Sequence, residues 1–118
     1  MMRKIECKTF WVKIYSSGPI DVAKNIIRVD VLLKGLCVTI DPTVYIYTGG
    51  EETGFVVGLL NYPRFKTKKN EILKRSLCLA LKLLNGCFQR SILIETPEKT
   101  IWITKGRKND NKINNTFI

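Results

Sequence analysis

Apolar residues along this chain switch between strand-like alternation and helix-like spacing, and the order of those switches admits few folds. FWVKIYS (10–16) alternates, with Val12 and Ile14 on one side and Trp11, Lys13 and Tyr15 on the other. SGP follows. Gly18 suits an N-cap, Pro19 the first helical position and Asp21 the positive end of the dipole, so a helix is expected over 19–34. Val22, Ile26, Val29 and Leu33 recur at helical spacing as its expected buried face, and Gly35 is a natural stop. LCVTI (36–40) reads as a short strand. Asp41-Pro42 interrupts it, because proline cannot donate to a central ladder, and TVYIYT (43–48) resumes it. GGEETG turns the chain, and FVVGLL (55–60) returns antiparallel until Pro63. A second helix is expected over 68–85, with Ile72, Leu73, Leu77, Ala80, Leu81 and Leu84 in one stripe and Asn85-Gly86 at its end. RSILIE (90–95) and TIWIT (100–104) are strands about the turn TPEK.

This order, β-α-β-β-α-β, defines an α+β class: a ferredoxin-like two-layer sandwich with an extra C-terminal hairpin strand. One α+β domain is expected over 1–104, followed by a basic, Asn-rich, flexible tail over 105–118. In 55–60 and 90–95 both sides of the strands are largely apolar, whereas a solvated face should be polar. The sheet face away from the helices is therefore expected to lie against another copy, making the protein a homo-oligomer.

A hydrophobic content of 45% over 118 residues suits one folded core. No apolar run reaches the roughly 18–20 residues that cross a bilayer, and the basic start reads as no signal peptide. Cys7, Cys37, Cys78 and Cys87 are widely spaced, which suits reduced thiols in a cytoplasmic protein, three of them in apolar context. With no histidine and no C-x-x-C, no metal site and no cofactor are expected. The same absence removes Ser-His and Cys-His catalysis, so an enzyme would have to use carboxylates, lysine or tyrosine. The expectation is a protein that is not an enzyme. A net charge of +10 favours an anionic partner.

Three stretches carry the candidate ligand site. In YTGGEET, Tyr47, Thr48, Gly49, Gly50, Glu51 and Glu52 form a glycine-rich turn. It reads as a phosphate nest, as a structural turn, or as glutamates placed on ribose hydroxyls or a base. In NYPR, Asn61, Tyr62 and Arg64 offer a base-edge contact, a stacking face and a phosphate partner, beside the reading of a plain strand exit. The run RFKTKKNEILKR puts Lys68 and Lys69 at a helix start, as an anion site or a solvated face. TGFVVGLLNY shares only Gly-Phe with the third-strand motif of RNA-recognition modules. The carboxylate pairs Glu51/Glu52 and Glu95/Glu98 lack the facing arrangement of acid–base catalysts.

The phrases GLCVTI, YIYTGGEETG, VVGLLNYPRF and TPEKTIWIT together resemble small, mostly uncharacterised bacteriophage-encoded proteins over residues 10–104. The resemblance implies an anti-defence protein of the host cytoplasm that sequesters a phosphorylated nucleotide-type immune signal without cleaving it. Two alternatives stay open: an inhibitor that binds a host defence protein, and a nucleic-acid-binding protein.

Overall fold

The computed structural model describes residues 1–34 and 37–106. Seven elements follow in chain order: β1 (Trp11–Ser17), α1 (Ile20–Lys34), β2 (Thr39–Tyr47), β3 (Gly50–Leu60), α2 (Lys69–Gly86), β4 (Ser91–Glu95) and β5 (Thr100–Thr104). The strands form one sheet in the order β2-β3-β1-β4-β5, with every neighbouring pair antiparallel. The expected α+β sandwich is therefore the observed one, with β5 added beyond β4. Gly35 and residue 36 of the expected strand start, like residues 107–118 of the expected tail, lie outside the described residues. Lys105 still donates its N–H to the Arg90 carbonyl at 2.8 Å.

The core lies between the helices and the inward residues of the strands. Val12, Ile14, Phe55, Val57, Ile92 and Ile94 from the sheet meet Ile72, Leu79, Ala80 and Leu83 from α2, all at most 1% exposed. Burying each large side chain contributes on the order of 1.5–3 kcal/mol. In α2 the buried stripe is Ile72, Arg75, Ser76, Leu79, Ala80, Leu83 and Leu84, while Leu81 faces out. The helix ends later than expected. Gly86 is its last residue, and a Cβ there would stand 2.4 Å from Ile26 Cδ1. Phe88, not a glycine, takes the left-handed turn that follows, at φ 56°.

The buried face of α1 differs from the expected one. Ala23, Ile27 and Asp30 point inward, whereas Val22, Val29 and Leu33 are exposed. Asp30 is 1% exposed and accepts from Lys82 Nζ at 2.8 Å and from Arg75 Nη2 at 3.5 Å. Two cations from α2 thus make an acid tolerable at a core position and tie the helices together.

The hairpin also departs from expectation. Thr39–Tyr47 is one strand that runs through Pro42. Because β2 is at the sheet edge, a missing N–H there need not cost a ladder bond. The turn shrinks to Thr48-Gly49, with Gly49 at φ 95°, and Glu51 and Glu52 belong to β3. β1 pairs with β3 only as far as Ser17↔Gly54. Beyond it, β2 and β3 continue as a two-stranded ribbon carrying exposed Val44 and Ile46.

Candidate functional site

Antiparallel register places directly opposed residues on the same face. Away from the helices, Asp41, Val56, Tyr15, Leu93 and Trp102 form one row across all five strands. Thr39, Gly58, Lys13, Glu95 and Thr100 form the next. Toward the hairpin tip, Tyr45 stands opposite Glu52 and Tyr47 opposite Gly50. This face was expected to be apolar, and it is aromatic and polar instead. Val56, Leu60 and Leu93 are an apolar minority on it, because the alternate residues of β1 and β2 bring Trp, Lys, Tyr and Asp to the same side. Its composition therefore does not by itself call for a covering copy.

Three tyrosines and two carboxylates share this face. The Tyr15 hydroxyl donates to Glu95 Oε1 at 2.7 Å, and burial, reinforced by that carboxylate, pushes its pKa up to about 12. The Tyr45 ring lies across Gly54, where a Cβ would stand 2.7 Å from its Cε2. Its hydroxyl donates to the Phe55 carbonyl at 2.8 Å. Burial pushes this phenol up to about 12, a backbone hydrogen bond at Ser16 pulls it back, and the charges of Tyr15 and Glu52 add to the rise. At the tip, the Tyr47 hydroxyl donates to Glu52 Oε1 at 3.0 Å; desolvation and then Glu52 raise its pKa. Tyr15–Glu95 and Tyr47–Glu52 are thus two hydrogen-bonded pairs on one face, with Tyr45 between them; Glu95 shares the row of Gly58, six positions from Glu52 and about 20 Å along the strands. Phenols held protonated donate hydrogen bonds, and carboxylates beside aromatic rings attract cations.

An apolar cleft of about 260 Å³ opens beside the Lys13–Glu95 row, lined by Trp11, Lys13, Thr39, Gly58, Leu60 and Tyr62 among others. Lys13 Nζ sits 5.5 Å from the Trp11 ring centroid. Gly58 keeps the cleft open, since a Cβ there would stand 2.5 Å from Thr39 Oγ1.

The residues proposed from sequence are divided by this geometry. Tyr47, Gly50 and Glu52 come together, with the tyrosine ring over the glycine. Glu51 alternates to the other side of the ribbon, and Thr48-Gly49 only turn the chain. A phosphate nest at Gly49-Gly50 is thus replaced by a tight turn and a strand. NYPR lies at the far end of β3, about 30 Å away at 3.3 Å per residue. Asn61 is occupied structurally: its Nδ2 donates to the Lys8 carbonyl at 2.8 Å, and its Oδ1 accepts from the Thr67 N–H at 2.9 Å. Tyr62 packs near Phe65, and the Arg64 guanidinium lies 5.3 Å from the Phe65 ring. Lys68 precedes α2, and Lys69 pairs with Glu98 at 2.8 Å. The four cysteines are free, but Cys37 is exposed rather than packed.

Sequence reasoning set Tyr15, Tyr45 and Glu95 aside. Their signal was the alternation that put Trp11, Lys13 and Tyr15 together on the side of β1 away from the core, and the two-residue spacing of Tyr45 and Tyr47.

No protein-family model matches the chain. No curated protein matches it either. Among solved structures, it is similar to a phage SAM lyase in its apo state, at 17% identity and a TM-score of 0.69, over 91% of this chain and 98% of that one. It is also similar to a phage SAM lyase in complex with S-methyl-5'-thioadenosine, at 17% identity and a TM-score of 0.61, over 88% of this chain and 95% of that one. The likeness is one of fold. It overturns the expectation of a protein without catalysis: both neighbours are lyases, so this architecture is one on which chemistry is carried out.

Proposed function

We propose that this chain is a lyase acting on the sulfonium nucleoside S-adenosylmethionine, and that the tyrosine–carboxylate array of the open sheet face is its site. The observation that carries this reading is the pairing of Tyr15 with Glu95 and of Tyr47 with Glu52, with Tyr45 on the same face between them. The substrate carries a sulfonium and an ammonium against one carboxylate, so it is a cation. The chain's surplus of basic residues would repel it, but the array offers Glu52 and Glu95 with three aromatic rings. The apolar cleft beside Trp11 offers the nucleoside a flat wall.

Cleavage breaks a carbon–sulfur bond, and its electron pair stays on sulfur. The sulfonium becomes a neutral thioether, the group present in S-methyl-5'-thioadenosine. The carbon left behind is satisfied by losing a neighbouring proton to a base or by capture by the substrate's own carboxylate. Glu52 and Glu95 are the proton acceptors at hand for the first route. For the second, the protonated tyrosines hold the carboxylate in position.

The ribbon that carries Tyr45, Tyr47 and Glu52 projects past β1, and in this reading a second copy of the chain packs beside it, making the active form a homo-oligomer. In a phage-infected cell, removing S-adenosylmethionine would starve the defence enzymes that depend on it, which makes this an anti-defence activity of the host cytoplasm.

The test is to incubate the pure protein with S-adenosylmethionine and follow S-methyl-5'-thioadenosine by liquid chromatography. Product is expected from the parent, with at least a tenfold loss of rate in Glu52→Gln and Glu95→Gln. Substrate recovered intact, or both variants as fast as the parent, would overturn the assignment.

A further inference from the structure

We infer a second ligand site on the helical side of the molecule, a cavity that takes the phosphate of a small nucleotide-like molecule. It has a volume of about 470 Å³, within the range of small-molecule sites, and is lined by Lys34, Phe65, Lys66, Thr67, Glu71, Lys74, Arg75 and Cys78. Four of these side chains are cationic and one is a carboxylate, so the field inside favours an anion. The tyrosine–carboxylate array lies on the opposite face of the sheet, which separates the two sites in place and in preferred charge.

Arg75 distinguishes this cavity from an exposed basic patch. Its side chain is 9% exposed. Its contacts to Asp30 Oδ2 and to the Lys34 carbonyl are both at 3.5 Å, the long limit of hydrogen bonding. Its Nε is buried and has no hydrogen-bond partner among the described residues. Asp30 gives its short contact, 2.8 Å, to Lys82 instead. A buried guanidinium with an unpaired donor and long bonds is under-satisfied, a state that costs free energy. A phosphate in the cavity would supply short, charge-assisted bonds to the Arg75 fork and to Lys74. Thr67 lines the same space, its hydroxyl donating to the Phe65 carbonyl at 3.0 Å, and Phe65, 55% exposed, gives a flat apolar wall for a base or another planar body. Lys66, Lys74 and Arg75 belong to the basic run RFKTKKNEILKR, whereas Lys68 and Lys69 of that run stay outside the cavity.

The test is calorimetric titration of the full chain with inorganic phosphate, pyrophosphate and adenosine monophosphate, beside a single-stranded oligonucleotide, at two salt concentrations. The expected result is saturable one-to-one binding, tightest for the nucleotide and little changed by salt. Lys74→Glu, an exposed rim substitution that spares the Asp30 contacts, is expected to weaken it at least tenfold. Lys69→Glu, the same charge change outside the cavity, is expected to stay within twofold. An equal loss in both variants, no saturable binding of any small probe, or binding of the oligonucleotide alone with steep salt dependence would each overturn the assignment.

Discussion

Gly54 is the position where one added methyl group should be felt by both the fold and the site. It faces Ser17 across the last β1–β3 pair. A Cβ there would stand 2.3 Å from the Ser16 carbonyl oxygen, 2.7 Å from Ser17 Cα and 2.7 Å from the Tyr45 ring. Ordinary carbon–oxygen approaches are about 3.3 Å or longer, so β1 and β3 would have to part by roughly an ångström where their pairing ends. Overpacking of this kind costs about 1–3 kcal/mol. At about 3–6 °C per kcal/mol for a chain of this length, Gly54→Ala should lower Tm by several degrees and shift the urea midpoint at unchanged m-value. Two of the three contacts are backbone, so adding Tyr45→Ala should recover little of the loss. Full recovery in the double variant would show that the tyrosine ring, not the strand crossing, sets the limit. A parent-like Gly54→Ala would refute the close approach altogether.

Asp30→Ala leaves Arg75 buried without its acid and should cost about 3–5 kcal/mol in urea unfolding, while Asp30→Ala with Arg75→Met should recover much of it. Tyr15 and Tyr45 have folded-state pKa values raised to about 12 from 10.0, so the stability they contribute is present below pH 10 and lost as pH rises from 10 toward 12. Tyrosinate absorbance should therefore show at least two phenols, Tyr15 and Tyr45, ionising late in the native protein and at ordinary pH in denaturant, with Tyr47 raised as well; all phenols titrating together near pH 10 would contradict this. Tyr15→Phe removes the hydrogen bond to Glu95 and is expected to weaken S-adenosylmethionine binding roughly tenfold, the scale of a bond to a charged group, by calorimetry at neutral pH.

The sheet and helix order was legible because each element carries its own period, and Val12, Ile14, Phe55, Val57 and Leu59 lie inward as alternation required. The face of α1 was not. Val22, Ile26, Val29 and Leu33 make a better apolar stripe than Ala23, Ile27 and Asp30, yet the latter are buried. What decides the matter is Arg75 and Lys82, more than forty residues away in sequence, and no local pattern contains them. The hairpin was misread for a similar reason. Proline and paired glutamates count against a strand in isolation, but an edge position and a ribbon projecting past β1 tolerate both. Two of the five array residues were visible, as Tyr47 and Glu52. Glu95 was seen only as a neighbour of Glu98, and its actual partner is eighty residues distant, at Tyr15.

Pro42 in β2 also bears on how copies of this chain meet. An open sheet has two rims, and a rim of unpaired amides is a template on which identical chains add strand to strand without limit. A proline in the outermost strand leaves a gap in that template, since a neighbour would find no N–H at that position. Growth by strand addition is frustrated on this rim, so any contact between copies would have to use another surface of the molecule.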